Sequence, residues 1–308
     1  MAAGAQEWPR VAVMGAGAVG SYFGGMLARA GAPVTLIGRR AHVEEIAREG
    51  LFIDSVNFQE RVNATASTEA EAARGAQLVL FSVKTLDTEA AARALAPHLD
   101  PGAIVVSLQN GVENVERIRA TSGIEALPAV VYVAASLPAP GRVKHAGRGD
   151  LVMGHAQRKP DIERVAASFA PAGVPCRIAD NIEGEMWVKF ILNCAGNAIT
   201  ALGRTSYGGA TCHELARQVM TATAQEAVAV ARAAGVALPS ADLVAMGLKM
   251  AEGLGSATSS TSQDIERGKR TEIGAFNGYI ARRGAELGVP TPVNHTLYAL
   301  VKLLEERR

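Results

Sequence analysis

The sequence predicts an α/β protein, with an N-terminal Rossmann-type parallel-sheet domain and a C-terminal all-helical domain. Three observations predict it. Short apolar runs alternate with helical stretches up to about residue 180. No convincing strand follows that point. A G-x-G-x-x-G motif, Gly15-Ala16-Gly17-Ala18-Val19-Gly20, directly follows the first apolar run and opens a helix. The expected domains are therefore residues 1–180, binding a dinucleotide, and residues 181–308, all helical.

The elements follow from local pattern. Val11-Ala12-Val13-Met14 is a first strand stopped by Gly15, and a helix over 21–29 ends before Gly31. A second strand covers 33–37 and a second helix 42–48. Residues 51–66 read as extended, in a hairpin, because their apolar positions recur by twos. Residues 77–83 and 103–108 are apolar without alternation, as strands covered on both faces are. Between them an Ala-rich helix over 88–96 meets Pro97. Residues 127–135, 142–145 and 150–153 read as three extended pieces, with Pro138, Pro140 and Gly141 making a turn after the first. A helix over 162–170 and a strand over 174–178 complete this half. Helices are then predicted over 182–202, 212–234, 241–254, 271–287 and 294–305, punctuated by Gly235, Pro239, Gly288, Pro290 and Pro292.

Composition excludes several classes. The chain has 308 residues, 48% hydrophobic, with 31 Lys plus Arg against 30 Asp plus Glu. Such balance argues against disorder, and against nucleic-acid or anionic-membrane partners. Cys176, Cys194 and Cys212 are too scattered for a disulfide framework or a zinc site, and no His, Cys and carboxylate group has ligand spacing, so no metal is expected. No apolar run approaches the roughly 20 residues of a spanning helix. Residues 1–9 lack a basic region and an apolar core, and read as a short leader, not a secretory signal. A soluble cytoplasmic protein is the expectation.

In the motif, Gly15 permits the tight turn, Gly17 admits close approach of a pyrophosphate, and Gly20 lets the helix pack on the sheet. Helix N–H groups and dipole then face phosphate. After the second strand an NAD enzyme carries an acid for the ribose 2′-hydroxyl. Here Gly38-Arg39-Arg40 stands instead, with no acid until Glu44, so Arg39 points to NADP(H). The other reading makes these arginines a solvated helix start. Lys84 and Asn110 close two further strands at the same sheet edge, where open α/β sheets bind ligands, although either is also an ordinary turn residue.

The helix over 182–202 is apolar around much of its circumference, yet Lys189, Asn193 and Asn197 share one stripe at i, i+4 and i+8. Buried without partners, they would cost several kcal/mol. They form either an interhelical hydrogen-bond network or the wall of a polar cleft with Lys189 as an acid. A hydroxyl cluster, residues 258–262, followed by Gln263-Asp264, reads as a helix-capping loop or as part of a site. Glu272 reads as a first-turn acid or as a catalytic one.

Taken together, the glycine motif, Gln109-Asn110-Gly111, Trp187-x-Lys189-x3-Asn193-x3-Asn197, Ser259-Ser260 with Gln263-Asp264, and Thr271-Glu272-Ile273 resemble the ketopantoate reductase family over nearly the whole chain. That resemblance implies an NADPH-dependent reductase taking 2-dehydropantoate to (R)-pantoate on the route to pantothenate and coenzyme A. It implies Lys189 as proton donor, Asn193, Asn197 and Ser260 as substrate contacts, and Glu272 as the acid near Lys189 and the nicotinamide ribose. It also implies Gly15, Ala16, Gly17, Ala18, Val19, Gly20, Arg39, Lys84, Asn110, Glu272 and the backbone of Ala135 as cofactor contacts. The partner expected is a small-molecule 2-oxo acid, and the five helices leave room for a homodimer. Two departures concern the substrate. Residues 203–209 lack a further asparagine that the family's best-known members carry there, and Thr261 is polar where an apolar residue is common. The alternatives are a reductase of another 2-oxo acid, an amino or opine dehydrogenase of the same plan, or a non-catalytic NADP(H) sensor. A sensor has no use for Lys189 and Glu272.

Overall fold

The computed structural model describes residues 8–239 and 242–306. The leader expected over 1–9 lies mostly outside the described residues, as does the first position of the helix expected over 241–254. The chain divides into two compact units between Ile182 and Glu183. No helix among the described residues is long and apolar enough to cross a membrane.

Unit 1 runs β1 (Val11–Met14), α1 (Ala18–Arg29), β2 (Val34–Ile37), α2 (Arg40–Glu49), β3 (Leu51–Ser55), β4 (Gln59–Val62) and β5 (Thr65–Ser67). It continues through β6 (Leu78–Phe81), α3 (Thr88–Leu95), β7 (Ile104–Ser107), α4 (Asn114–Ser122), β8 (Leu127–Ala139), β9 (Arg142–Met153), α5 (Lys159–Phe169) and β10 (Cys176–Ile178). The strand order is β4-β3-β9-β8-β7-β6-β1-β2-β5, with β10 beside β9. From β5 to β8 every pairing is parallel. Numbered along the chain, these six strands lie in the order 3-2-1-4-5-6 of a dinucleotide-binding fold. The β3–β4 hairpin is inserted between the second and third of them.

Strands β1, β6 and β7 are buried throughout, because alternate side chains enter different cores. Val11, Val13, Leu78, Leu80, Ile104 and Val106 join the α1 side. Ala12, Met14, Val79, Phe81 and Val105 join Ala91, Ala92, Leu95 and Ile118 of α3 and α4. Beyond β7 the sheet continues through antiparallel β8–β9 and curls over α1. That helix is covered on both sides. A Cβ on Gly24 would lie 2.7 Å from a Val13 methyl in β1, and one on Gly25 would lie 2.9 Å from Ile53 in β3. Tyr22 of α1 stacks on His145 of β9 with ring centroids 4.4 Å apart. Ser21 Oγ lies 3.0 Å from His42 Nε2, and His42 Nδ1 accepts the Gly141 N–H at 2.9 Å, so α1, α2 and the β8–β9 turn share one buried imidazole. Burial lowers the His42 pKa, consistent with this neutral, accepting ring.

Unit 2 holds α6 (Ile182–Gly203, whose first residue belongs to unit 1), α7 (Tyr207–Cys212), α8 (Glu214–Ala233), α9 (Leu243–Gly253), α10 (Ser260–Glu266), α11 (Asn277–Leu287) and α12 (Pro292–Glu306). Helix α6 is central. Leu192 packs with Tyr207, Met220, Leu248 and Ala251, while Ala198 packs with Ile273, Leu297 and Val301. Phe190 meets Trp187, Phe276 and Tyr279 in edge and tilted contacts. A buried polar line crosses the bundle. Asn277 Nδ2 donates to Cys194 O and to Asn294 Oδ1, and Asn294 Nδ2 donates to Thr223 O and to Glu226. Both Glu226 oxygens accept the first N–H groups of α12, from Val293 and Asn294.

Several local expectations change. Helix α4 is absent from the sequence reading, and so are α7 and α10. β9 is one strand where two pieces are expected, because positive φ at Arg148 (55°) and Gly149 (133°) and shifts in register carry the pairing past an irregular middle. Pro138 lies inside β8, and the turn is Pro140-Gly141. The helix expected over 271–287 starts at Asn277, after a short 3₁₀ turn at Ile273–Ala275.

Candidate active site

The candidate residues form two groups, one in each unit. In unit 1, parallel β1, β2, β6 and β7 end at one edge, followed by Gly15, Arg39, Lys84 and Asn110. Gly15 has φ +106°, and a Cβ there would lie 2.5 Å from Val83 N. Gly20 is as tightly placed, since its Cβ would lie 2.3 Å from Gly15 O and 2.4 Å from Ser82 Oγ. Ser82 Oγ itself donates to Gly15 O at 2.8 Å, joining the β6 end to the β1 turn. Gly17 differs: a Cβ there would meet nothing within 4 Å. Gly17 is also the N-cap of α1, with no capping side chain and no acid in the first turn. The open space at Gly17, beside a helix start that no side chain caps, fits a phosphate group. Arg39 is exposed and makes no ion pair among the described residues, whereas Arg40 pairs with Glu44 at 3.7 Å. Its position at the start of α2, which has no acid in the first turn, fits a second phosphate.

Lys84 and Asn110 are held by a buried network that the sequence reading missed. Gln109 Nε2 donates to Val83 O at 3.0 Å and to Thr88 Oγ1 at 2.8 Å. Asn114 Nδ2 donates to Asn110 O at 2.7 Å and to Thr85 Oγ1 at 3.2 Å, and Thr88 Oγ1 donates to Asn114 Oδ1. Both neighbours of Lys84 are therefore fixed by side chains from the β7–α4 connection. The remaining unit 1 candidate, Ala135, lies along β8 opposite His145, outside the group of parallel strand ends.

In unit 2, Lys189 and Asn193 are half-buried one turn apart on α6. Asn197, one turn on, is only 1% exposed, and its Oδ1 accepts the Tyr207 hydroxyl at 2.6 Å. The loop lacking the extra asparagine thus brings a tyrosine onto Asn197, and burial raises the pKa of that phenol. The hydroxyl cluster divides. Ser259, 2% exposed, caps α10 by accepting the Ser262 N–H at 3.0 Å, and it meets Thr200 Oγ1 at 2.7 Å. Ser260, next in the chain, is exposed. Glu272 is half-buried at the start of the 3₁₀ turn. Among the described residues no group of three or more His, Cys, Asp or Glu side chains is placed to hold a metal ion.

The profile of the family described as ketopantoate reductase PanE/ApbA matches residues 11–158, and the profile of its C-terminal part matches residues 181–305. The chain belongs to the ketopantoate reductase family. Its members are nicotinamide-dependent reductases, and the chain is an oxidoreductase of that kind. A 2-dehydropantoate 2-reductase of Archaeoglobus fulgidus is 35% identical over 299 residues, covering 96% of this chain and 98% of that protein. A PanE/ApbA family ketopantoate reductase from Ralstonia eutropha JMP134 is 48% identical, with TM-score 0.91 over 97% of this chain and 99% of that one. The fold is also that of a D-mandelate dehydrogenase solved with NADH and anilino(oxo)acetate, 24% identical with TM-score 0.89 over 97% of this chain and 99% of that one. Fold alone therefore does not choose the substrate.

Proposed function

We propose that this protein reduces 2-dehydropantoate to pantoate with NADPH, in the cytoplasm. The observation that carries the reading is the likeness to 2-dehydropantoate 2-reductases along 96% of the chain, through both units. Bound NADPH supplies a hydride to the keto carbon. In unit 1, Gly15 to Gly20 bind the pyrophosphate with backbone N–H groups, and Arg39 binds the 2′-phosphate, which is the reason for NADPH over NADH. Lys84, Asn110 and the Ala135 backbone hold the rest of the cofactor. In unit 2, Lys189 Nζ gives its proton to the substrate oxygen as charge develops there. Asn193 and Ser260 bind the polar groups of the substrate. With one lone pair of Oδ1 given to Tyr207, Asn197 offers chiefly its Nδ2 for the same task. Glu272 is, in this reading, the acid that completes the site beside Lys189 and the nicotinamide ribose.

The Asn197–Tyr207 bond also favours a second reading, in which a 2-oxo acid lacking the hydroxyl of 2-dehydropantoate is the preferred substrate. Following NADPH absorbance with 2-dehydropantoate and a panel of 2-oxo acids decides between them. The first reading requires the highest kcat/KM on 2-dehydropantoate, and a better substrate elsewhere in the panel rejects it. Lys189→Ala should lower kcat by about a hundredfold or more on the best substrate. A near-normal rate with chemistry limiting would remove Lys189 from its role.

A further inference from the structure

Glu272 stands between two anchors. After it, Ile273 is 1% exposed and packs with Ala198 of α6 and Leu297 and Val301 of α12. Before it, Thr271 is 4% exposed, and a single oxygen, Glu305 Oε1, accepts both its backbone N–H at 2.7 Å and its hydroxyl at 2.5 Å. The other carboxylate oxygen accepts from Lys302 Nζ at 2.5 Å, one turn back on α12. Thr271 Oγ1 in turn accepts the Ile273 N–H at 3.2 Å, and Glu272 O accepts the Ala275 N–H at 2.8 Å, so the backbone is bonded on both sides of Glu272. The Glu305 side chain is 8% exposed. Burial alone would raise its pKa, but the hydrogen bonds from Lys302 and Thr271 outweigh burial and hold the carboxyl below its usual range. The tether is thus ionised at neutral pH, with charge-assisted bonds.

A buried carboxylate in the last turn of α12 is a costly way to hold a loop, and an apolar contact would stabilise as well. It does something an apolar contact does not: it fixes direction as well as distance. Because Ile273 is packed against α6, the helix carrying Lys189, a fixed Thr271 sets the orientation of Glu272 relative to that helix.

We propose that Glu305, acting through Thr271, is a positioning residue for Glu272. The inference rests on the role given to Glu272 above, and the test separates the two. Thr271→Val, Glu305→Ala, their combination and Glu272→Gln are assayed for kcat, KM, NADPH Kd and thermal midpoint, using 2-dehydropantoate and NADPH. Thr271→Val keeps shape and loses the hydroxyl, so it reports even if Glu305→Ala folds poorly. Expected for the tether variants is a fall in kcat of about ten- to a hundredfold, the upper figure being the scale for a group misplaced by about 1 Å, with NADPH Kd changed less than kcat. The double variant should be slower than the slower single one by less than the product of the two effects, since both variants remove the bond between the Thr271 hydroxyl and Glu305. Thr271→Ser should recover most of the kcat that Thr271→Val loses. Unchanged kcat in both tether variants, with Glu272→Gln impaired, overturns the positioning role alone. A kcat loss that Thr271→Ser shares in full overturns it too, because a loss that does not depend on the hydroxyl marks a damaged fold. Unchanged kcat in Glu272→Gln overturns the underlying role of Glu272, and the tether proposal with it.

Discussion

Replacing Gly17 by alanine separates what a ligand demands of the glycine turn from what the fold demands. Gly17 has φ −78° and ψ −167°, which alanine adopts without strain, and its added Cβ would meet nothing within 4 Å. Alanine is a poorer N-cap than glycine by about 0.5–1 kcal/mol. It also removes about 0.4–1 kcal/mol of unfolded-state freedom, so the two effects nearly cancel. The ligand-free variant should melt within about 2 °C of the parent. Gly20→Ala is different, because its Cβ would lie 2.3 Å from Gly15 O and 2.4 Å from Ser82 Oγ. Helix α1 would have to move by about 1 Å to restore contact distance, at a cost of about 1–3 kcal/mol. NADPH binding should weaken in both variants, but in Gly17→Ala for one reason only: the methyl group stands where the pyrophosphate meets backbone. Loss of one charge-assisted contact is worth about 1.5–3 kcal/mol, or ten- to about a hundredfold in Kd. Thermal melts of the ligand-free proteins and a fluorescence titration with NADPH measure the two quantities separately. If Gly17→Ala binds NADPH as tightly as the parent, the phosphate is not at Gly17 and the reading of the motif fails.

Three further outcomes are expected. Arg39→Ala should weaken NADPH by ten- to about a hundredfold in a binding titration while leaving NADH nearly unchanged, and a parent enzyme that prefers NADH would contradict the assignment. Thr261 Oγ1 is buried without a hydrogen-bond partner, so Thr261→Val should leave stability unchanged or raise it by about 1 kcal/mol in denaturant melts, and a loss of that size would reveal a partner. The Glu305 carboxyl is held below its usual range, so its stabilisation is complete above the unfolded value of about 4.3 and is lost as pH falls through the folded value. The melting-temperature gap between the parent and Glu305→Gln should therefore be constant from about pH 7 to 5 and narrow below about pH 4.3, and a gap that widens on acidification would reverse the sign.

The parallel strands were legible because burial on both faces leaves unbroken apolar runs, as in Leu78-Val79-Leu80-Phe81. The glycine turn was legible because its residues are constrained by backbone geometry close in sequence. Helix α4 was hidden because Asn114 to Ser122 shows only Val115 and Ile118 as apolar markers, and its anchor, the Asn114 amide, bonds across the strand ends to Thr85 and Thr88. The hydroxyl cluster concealed α10 for a related reason. Serine and threonine composition reads as loop, whereas the partner of Ser259 and Ser262 is Thr200, far away on α6. The stripe leaves Asn197 between a hydrogen-bond network and the wall of a cleft, and only the placement of Tyr207 reveals that its carbonyl accepts a hydroxyl from a neighbouring helix. Side-chain hydrogen bonds between distant segments leave no periodic trace in a sequence.

Helix α1 carries Gly20, Gly24 and Gly25 within twelve residues. Each costs about 0.8–1 kcal/mol of helical stability relative to alanine, and a segment this short is marginal even without them. The helix therefore does not persist in the nascent or partly folded chain. It forms when β1, β2 and β6 have paired on one side and the β8–β9 extension has closed over the other, contacts separated by more than a hundred residues along the sequence. Such late, non-local closure makes unit 1 a slow folder by loop-entropy arguments. It also makes affinity for the dinucleotide one of the last properties a refolding molecule regains, later than most of its secondary structure.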